Sequence, residues 1–169
     1  MKVGIYPGSF DPFTDGHLDI ARRAGRIFDK VIILISSNSS KGERLIPVED
    51  MGKAIIDTLN DQDKYMVGYL SPNLSLPDFI AGNKFEHGAF VVRGMRDADD
   101  AIYEMRLAEQ YRWFDVNSDR MEVIPLFSAP EFRSVSSSLV REMIKYGKEN
   151  LPVPPLVNEL IKARYNYEI

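Results

Sequence analysis

The sequence predicts an α/β fold built on a doubly wound sheet of about five parallel strands with flanking helices. Segments typical of strands alternate with segments of helical spacing along almost the whole chain, as βαβ crossovers require. The apolar runs at residues 31–35 and 90–92 suit strands that are buried on both faces of a sheet. A chain of 169 residues fits one domain, so we expect a single Rossmann-like domain over 1–169 that ends in a helix at about 155–165.

The first half of the chain alternates twice between strand and helix. A short apolar strand is predicted at 2–6, and an amphipathic run predicts a helix at 16–28. The near-continuous apolar segment at 31–36 predicts the second strand, and a polar loop follows at 37–44. At 48–59 the apolar residues recur at helical spacing on one side, so a second helix is expected there.

The second half continues the same alternation. Three further apolar segments predict strands, at residues 65–70, 89–93 and 121–126. Four segments are predicted as helices, at residues 76–81, 99–115, 136–146 and 155–165. Serines at the start of the third of these helices can cap its free N–H groups, and a proline-rich connector leads into the last one.

Composition and charge restrict the class of protein. The net charge of −4, from 21 basic and 25 acidic residues, argues against nucleic acid as a partner. The absence of cysteine excludes disulfides and thiolate metal sites and fits a reducing compartment. No apolar run reaches the roughly 18 residues of a membrane span, and the first residues lack the apolar region of a signal peptide. We therefore expect a cytoplasmic protein without membrane contact.

The turn between the first strand and the first helix is the most informative segment. Parallel sheets bind ligands beyond the carboxyl ends of their strands, and helix N-termini attract phosphates. Gly8 and Gly16 allow tight turns and close approach of the backbone to a ligand. His17 lies in the first helical turn, where a neutral imidazole can donate to a phosphate oxygen. A packed or capping histidine is the alternative, and for Asp11 a local turn-capping role is predicted.

Three other segments should reach the same edge of the sheet, at residues 37–41, 93–96 and 131–138. The second carries Arg93 and Arg96, whose guanidinium forks suit phosphates. Their alternative is a surface ion pair with Asp97, Asp99 or Asp100.

Four short motifs resemble a known superfamily. They read GSFDP at 8–12, TDGH at 14–17, VRGMR at 92–96 and SSSLVR at 136–141. The first two resemble the signature of the nucleotidyltransferases, whose T/H-x-G-H box binds ATP or CTP. Together the four are similar to the pantetheine-phosphate adenylyltransferases of coenzyme A synthesis, in the right order from about residue 2 to the end of the chain. The resemblance implies transfer of the adenylyl group of ATP to 4'-phosphopantetheine, giving dephospho-coenzyme A and pyrophosphate.

The resemblance also implies roles for individual residues. The catalytic residues would be His17, Lys41 and Arg93. ATP would contact Ser9, Phe10, His17, Gly94, Met95, Arg96, Glu104, Phe132, Arg133, Ser134, Val135, Ser136, Ser137 and Ser138. Phosphopantetheine would contact Ser9, Lys41, Leu76 and Arg93. Mg²⁺ would arrive with the phosphates of ATP, without protein side chains as ligands. The family is usually hexameric, so a homohexamer is expected.

Several alternatives stay open at this stage. Taken singly, Lys41 fits an exposed loop lysine, Leu76 a core leucine and Glu104 a solvated helical glutamate. His87, in a segment longer than its family counterpart, has no family role and fits a loop. The first motif does not separate this enzyme class from a nicotinate-mononucleotide adenylyltransferase or a cytidylyltransferase. A non-catalytic nucleotide sensor on the same fold is the third possibility, which the presence of His17, Lys41 and both arginines argues against.

Overall fold

The computed structural model describes residues 1–36, 43–83, 85, 89–114 and 121–165. Within these ranges five strands form one sheet: β1 (Val3–Gly8), β2 (Lys30–Ser36), β3 (Tyr65–Leu70), β4 (Ala89–Met95) and β5 (Met121–Phe127). All neighbouring strands are parallel, and their order across the sheet is β3-β2-β1-β4-β5. The described helices are α1 (Asp15–Ile27), α2 (Val48–Leu59), α3 (Leu76–Asn83), α4 (Ala98–Phe114), α5 (Ser137–Lys145) and α6 (Pro155–Arg164).

The order of the strands makes the sheet doubly wound. The chain starts in the central strand β1, moves outward through β2 to β3, and then crosses back to β4 and β5 on the other side. This reversal beside β1 is the switch point where open α/β sheets bind ligands. The predicted fold class is therefore confirmed.

The core lies in two layers, one on each face of the sheet. Neighbouring residues of one strand point to opposite faces, and accordingly Ile5 and Leu34 belong to one cluster while Tyr6 and Ile33 belong to the other. The larger cluster packs α1, α2, α5 and α6 against the sheet, and the smaller one includes residues of α3. Strands covered on both faces need apolar residues in succession, which explains the unbroken apolar runs of the sequence.

Two strands continue further than the sequence predicts. β1 extends to Gly8, which pairs with Ile35, and β4 extends to Met95, which pairs with Phe127. Sheet pairing by the neighbouring strand holds these residues in extended conformation, which local composition does not reveal. Arg93 consequently lies inside β4 rather than at its end. Among the residues that the structure describes, no helix has the length and apolar character that a membrane crossing requires.

Candidate functional site

A cavity of about 990 Å³ opens at the carboxyl edge of the sheet. Its walls come from the ends of β1 and β4, the first turns of α1 and α5, one face of α4, and the segment between β3 and α3. Thirteen of the residues predicted from the sequence line it: Ser9, Phe10, His17, Leu76, Arg93, Gly94, Arg96, Glu104, Phe132, Val135, Ser136, Ser137 and Ser138. Residues scattered over 130 positions of sequence thus meet because the strands are parallel and end at one edge.

Three predicted residues in the described part of the chain do not line the cavity. The side chain of Met95 is buried in the interior, and Arg133 and Ser134 are exposed in the turn before α5. The contacts of these three residues with ATP stay predictions. Lys41 lies outside the described residues, as does His87.

The turn after β1 has an unusual backbone that depends on a glycine. Phe10 adopts a φ of 43°, in the left-handed region that residues with a side chain rarely occupy. Its ring is fully buried and packs beneath Gly8, where an added Cβ would come within 2.8 Å of the ring. Glycine at position 8 therefore lets the ring close the floor of the cavity while Ser9 stays at the surface of the turn.

Asp11 anchors this turn to distant parts of the chain. Its buried carboxylate accepts hydrogen bonds from the backbone N–H groups of Leu45 and Ile46 and from the guanidinium of Arg141. Nη2 of Arg44 donates to the carbonyl oxygen of Ser9 at 2.9 Å. Asp11 was predicted to cap its own turn, but in the structure its carboxylate binds groups that are distant in the sequence. A buried carboxylate needs such partners, and here they fix the turn from two sides.

His17 is held by the cap of α1. The Thr14 side chain accepts from the His17 backbone N–H at 3.3 Å, and His17 Nδ1 accepts from the Thr14 backbone N–H at 3.0 Å. This is a capping box with histidine in the place usually taken by glutamate. Because Nδ1 serves as an acceptor, the neutral ring carries its proton on Nε2. The rings of Phe10 and Phe13 pack against the imidazole and restrict its orientation.

Arg93 and Glu104 form a largely buried ion pair in the cavity wall. Arg93 Nε donates to Glu104 Oε2 at 2.7 Å and Nη2 donates to Oε1 at 2.5 Å, while Nη1 donates to the Pro7 carbonyl oxygen at 3.1 Å. Burial alone would lower the pKa of Arg93, but the hydrogen bonds and charge of Glu104 raise it above its ordinary value. Two of the five guanidinium donors remain without a partner among the described residues. The alternative of a solvated helical glutamate is therefore wrong for Glu104, whose carboxylate binds Arg93.

Arg96 forms a second ion pair one helical turn away. Its Nε and Nη2 donate to the two carboxylate oxygens of Asp100 at 2.9 and 3.0 Å, and its backbone N–H donates to Oδ2 at 2.9 Å. The hydrogen bonds from Arg96 lower the pKa of Asp100. Of the ion pairs that the sequence left open for the two arginines, the one between Arg96 and Asp100 is present.

The N-terminus of α5 faces the same cavity. Ser136 caps the helix by accepting from the Leu139 backbone N–H at 3.1 Å. The Ser137 hydroxyl donates to the Pro12 carbonyl oxygen at 2.8 Å, which ties α5 to the turn after β1. The first N–H groups of a helix are donors that suit an anion, so this terminus adds positive potential to the wall.

The cavity residues that were not predicted from the sequence include Tyr6, Pro7, Ile20, Ser36, Leu70, Leu74, Ser75, Tyr103, Leu107, Tyr111 and Ser128. Leu107 and Tyr111 lie three and seven positions after Glu104, so helical spacing could have placed them on the cavity face of α4. Leu70 ends β3, at the edge where the ligand site was expected. Burial raises the pKa of Tyr111. The leucines among them, Leu70, Leu74 and Leu107, add apolar surface to a cavity that also carries charged side chains.

Protein ligands for a metal ion do not cluster in the described part of the chain. No group of three or more His, Asp or Glu side chains within it could hold an ion. The carboxylates that line the cavity, Asp100 and Glu104, already bind arginines. The donor set of these residues does not fit a dedicated cation site.

Comparisons with known proteins identify relatives along nearly the whole chain. Residues 5–143 match a protein family described as cytidylyltransferase-like. The chain is 33% identical to the phosphopantetheine adenylyltransferase of Geotalea daltonii over 98% of both chains. It is 36% identical to the phosphopantetheine adenylyltransferase of Leuconostoc citreum, over 98% of this chain and 100% of the other.

A solved structure shares the fold at low sequence identity. A bifunctional NMN adenylyltransferase/ADP ribose pyrophosphatase from Francisella tularensis matches with a TM-score of 0.69 and 17% identity. The match covers 99% of this chain and 50% of that one.

Proposed function

The chain belongs to the phosphopantetheine adenylyltransferase family, and from this premise we propose that it transfers the adenylyl group of ATP to 4'-phosphopantetheine. The products are dephospho-coenzyme A and pyrophosphate. One observation carries the proposal from the side of the structure: His17, two arginines and the N-terminus of α5 converge on one cavity. Such a set of donors suits a reaction between two phosphorylated molecules.

The reaction needs no covalent enzyme intermediate. An oxygen of the 4'-phosphate attacks the α-phosphorus of ATP, a new P–O bond forms, and the bond to the β-phosphate bridging oxygen breaks as pyrophosphate leaves. Negative charge on the non-bridging oxygens must be met by donors that are already in place. His17 is suited to this task because its cap and the neighbouring rings fix the imidazole with the proton on Nε2.

The two ends of the cavity would serve the two substrates. Arg93 would bind the 4'-phosphate with the two guanidinium N–H groups that do not bind Glu104 or the Pro7 carbonyl oxygen. Lys41 would assist it. Leu76 lines the same cavity, and its apolar side chain suits the uncharged arm of phosphopantetheine. Arg96 and the N-terminus of α5 would bind the phosphates of ATP. Mg²⁺ would come with those phosphates, since this ion usually binds through substrate phosphates and water.

We also propose a homohexamer. Four large apolar side chains, on α4 and at the end of β5, are strongly exposed: Ile102, Met105, Trp113 and Phe127. Single exposed apolar residues are ordinary, but several on one helix suit burial against another subunit. Sedimentation at micromolar concentration should give about six times 19.3 kDa, and a monomeric mass would refute the assembly. The cytoplasm is the proposed location, since the chain lacks cysteine.

A panel of acceptors tests the proposed function. The purified protein is given ATP and, in turn, phosphopantetheine, pantetheine, nicotinate mononucleotide and glycerol 3-phosphate, and pyrophosphate release is followed. Phosphopantetheine should be the best acceptor, and pantetheine should react poorly because it lacks the attacking oxygen. Faster release with nicotinate mononucleotide or glycerol 3-phosphate would assign the chain to another reaction. CTP in place of ATP serves as the control for the nucleotide.

A further inference from the structure

The pair of Arg96 and Asp100 combines exposure with unusually complete hydrogen bonding. One carboxylate accepts three hydrogen bonds from a single residue, two from the guanidinium and one from the backbone N–H. The Asp100 backbone N–H in turn donates to Asp97 Oδ1 at 2.9 Å, which fixes the start of α4. An ordinary surface ion pair has neither a hydrogen bond from the backbone N–H of the basic residue nor a side chain that fixes the backbone of the acidic one. Both Arg96 and Asp100 line the cavity.

The same arrangement occurs a second time in this wall. Glu104, one turn after Asp100 on α4, binds Arg93 by the same Nε–Nη2 edge. Each arginine near the end of β4 therefore has one edge of its fork occupied by a carboxylate of α4. For Arg96 this leaves three of the five guanidinium donors, including both on Nη1, without a partner among the described residues.

We propose that Asp100 is a positioning residue for ATP, which holds Arg96 in the orientation that binds the nucleotide phosphates. The proposal rests on the proposed function, because it concerns the ATP end of the same cavity. A free arginine side chain loses much rotational freedom when it binds a phosphate, and that loss weakens binding. The fork to Asp100 restricts the side chain before ATP arrives. It also neutralises the carboxylate, which would otherwise repel the phosphates.

The test uses Asp100→Asn with Asp99→Asn as its matched control. Asp99 is exposed on the same turn of α4 and is not part of the cavity, so its replacement removes the same charge without touching the pair. For Asp100→Asn we expect the dissociation constant and KM of ATP to rise about tenfold. The KM of phosphopantetheine should stay within about twofold and the thermal midpoint within about 2 °C, because the pair is partly exposed. Asp99→Asn should match the wild type in all of these.

A double variant separates positioning from simple charge repulsion. In an Arg96→Ala background, Asp100→Asn should cause no further loss of ATP affinity, because its effect acts through the missing arginine. Asp100→Glu, which retains a carboxylate, should recover part of the affinity. Unchanged or tighter ATP binding in Asp100→Asn would overturn the proposal, as would an equal loss in the Arg96→Ala background.

The proposed function and this inference can fail separately. Calorimetric ATP affinity measures the role of Asp100 even if phosphopantetheine is not the acceptor, whereas the acceptor panel measures the reaction alone. A wild-type protein that does not bind ATP would overturn both.

Discussion

Replacing Glu104 by alanine should destabilise the protein strongly, because it leaves Arg93 as an unpaired, largely buried charge. The Arg93 side chain is 23% exposed and that of Glu104 is 9% exposed. The substitution removes both hydrogen bonds of the fork and leaves only the bond to the Pro7 carbonyl. Removing one partner of a buried pair costs about 3–5 kcal/mol, and the residual exposure of Arg93 places this case near 3 kcal/mol. For a chain of this size that lowers the thermal midpoint by roughly 6–12 °C.

Urea denaturation at a fixed protein concentration measures this loss, because an oligomer's apparent stability depends on concentration. Glu159→Ala, an exposed glutamate on α6, is the control and should change stability by less than about 0.5 kcal/mol. The double variant Arg93→Met with Glu104→Leu should recover most of the stability, since no buried charge remains, while activity is lost. A loss below about 1 kcal/mol in Glu104→Ala would refute the reasoning that Glu104 compensates a buried charge.

Three further predictions concern catalysis, pH and packing. His17→Ala should lower turnover at least about a hundredfold while ATP affinity stays within about tenfold, because the donor acts mainly in the transition state; pyrophosphate release near the wild-type rate would contradict this. Arg96 lowers the pKa of Asp100 in the folded protein, so this carboxylate adds stability above its unfolded pKa near 3.9, and that contribution disappears as pH falls through the lower folded value. The stability difference between wild type and Asp100→Asn should therefore be constant from about pH 5 to 8 and shrink as the pH falls below about 4, and a difference that does not change with pH in that acidic range would contradict the assignment. Gly4→Ala should lower the free energy of unfolding by about 1–3 kcal/mol, because a Cβ there would lie 2.5 Å from the Phe28 ring. In Gly82→Ala the added Cβ meets nothing within 4 Å, so this variant should be as stable as the wild type or more stable. Equal denaturation midpoints for the two variants would disprove the clash.

The sequence predicts the sheet and its edge because both depend on local patterns. Strands buried on both faces need consecutive apolar residues, and amphipathic helices need apolar residues at a 3.6-residue period. The segment at 31–36 is therefore recognisable as a strand and the segment at 48–59 as a helix from their own residues. Parallel strands then bring the turn after β1 and the N-terminus of α5 together without any knowledge of side-chain contacts. His17 could be singled out for the same reason, since its position in the first helical turn is local.

The partners of the charged residues could not be predicted in this way. Asp11 meets Arg141 across 130 positions of sequence, and no local signal announces that contact. Arg93 binds Glu104, eleven residues later, and not one of the nearer aspartates. The length of β4 and the start of α4 determine which carboxylate of the helix comes within reach of the Arg93 guanidinium. Those choices depend on three-dimensional packing of the helix on the strand.

Direct detection of the product tests the central claim. The protein is incubated with ATP and 4'-phosphopantetheine, and mass spectrometry quantifies dephospho-coenzyme A while a coupled assay quantifies pyrophosphate. Adenylyl transfer to phosphopantetheine predicts equal amounts of the two products, whereas pantetheine in its place should give little pyrophosphate and no dephospho-coenzyme A. Pyrophosphate without dephospho-coenzyme A, or ADP in place of pyrophosphate, would contradict the account.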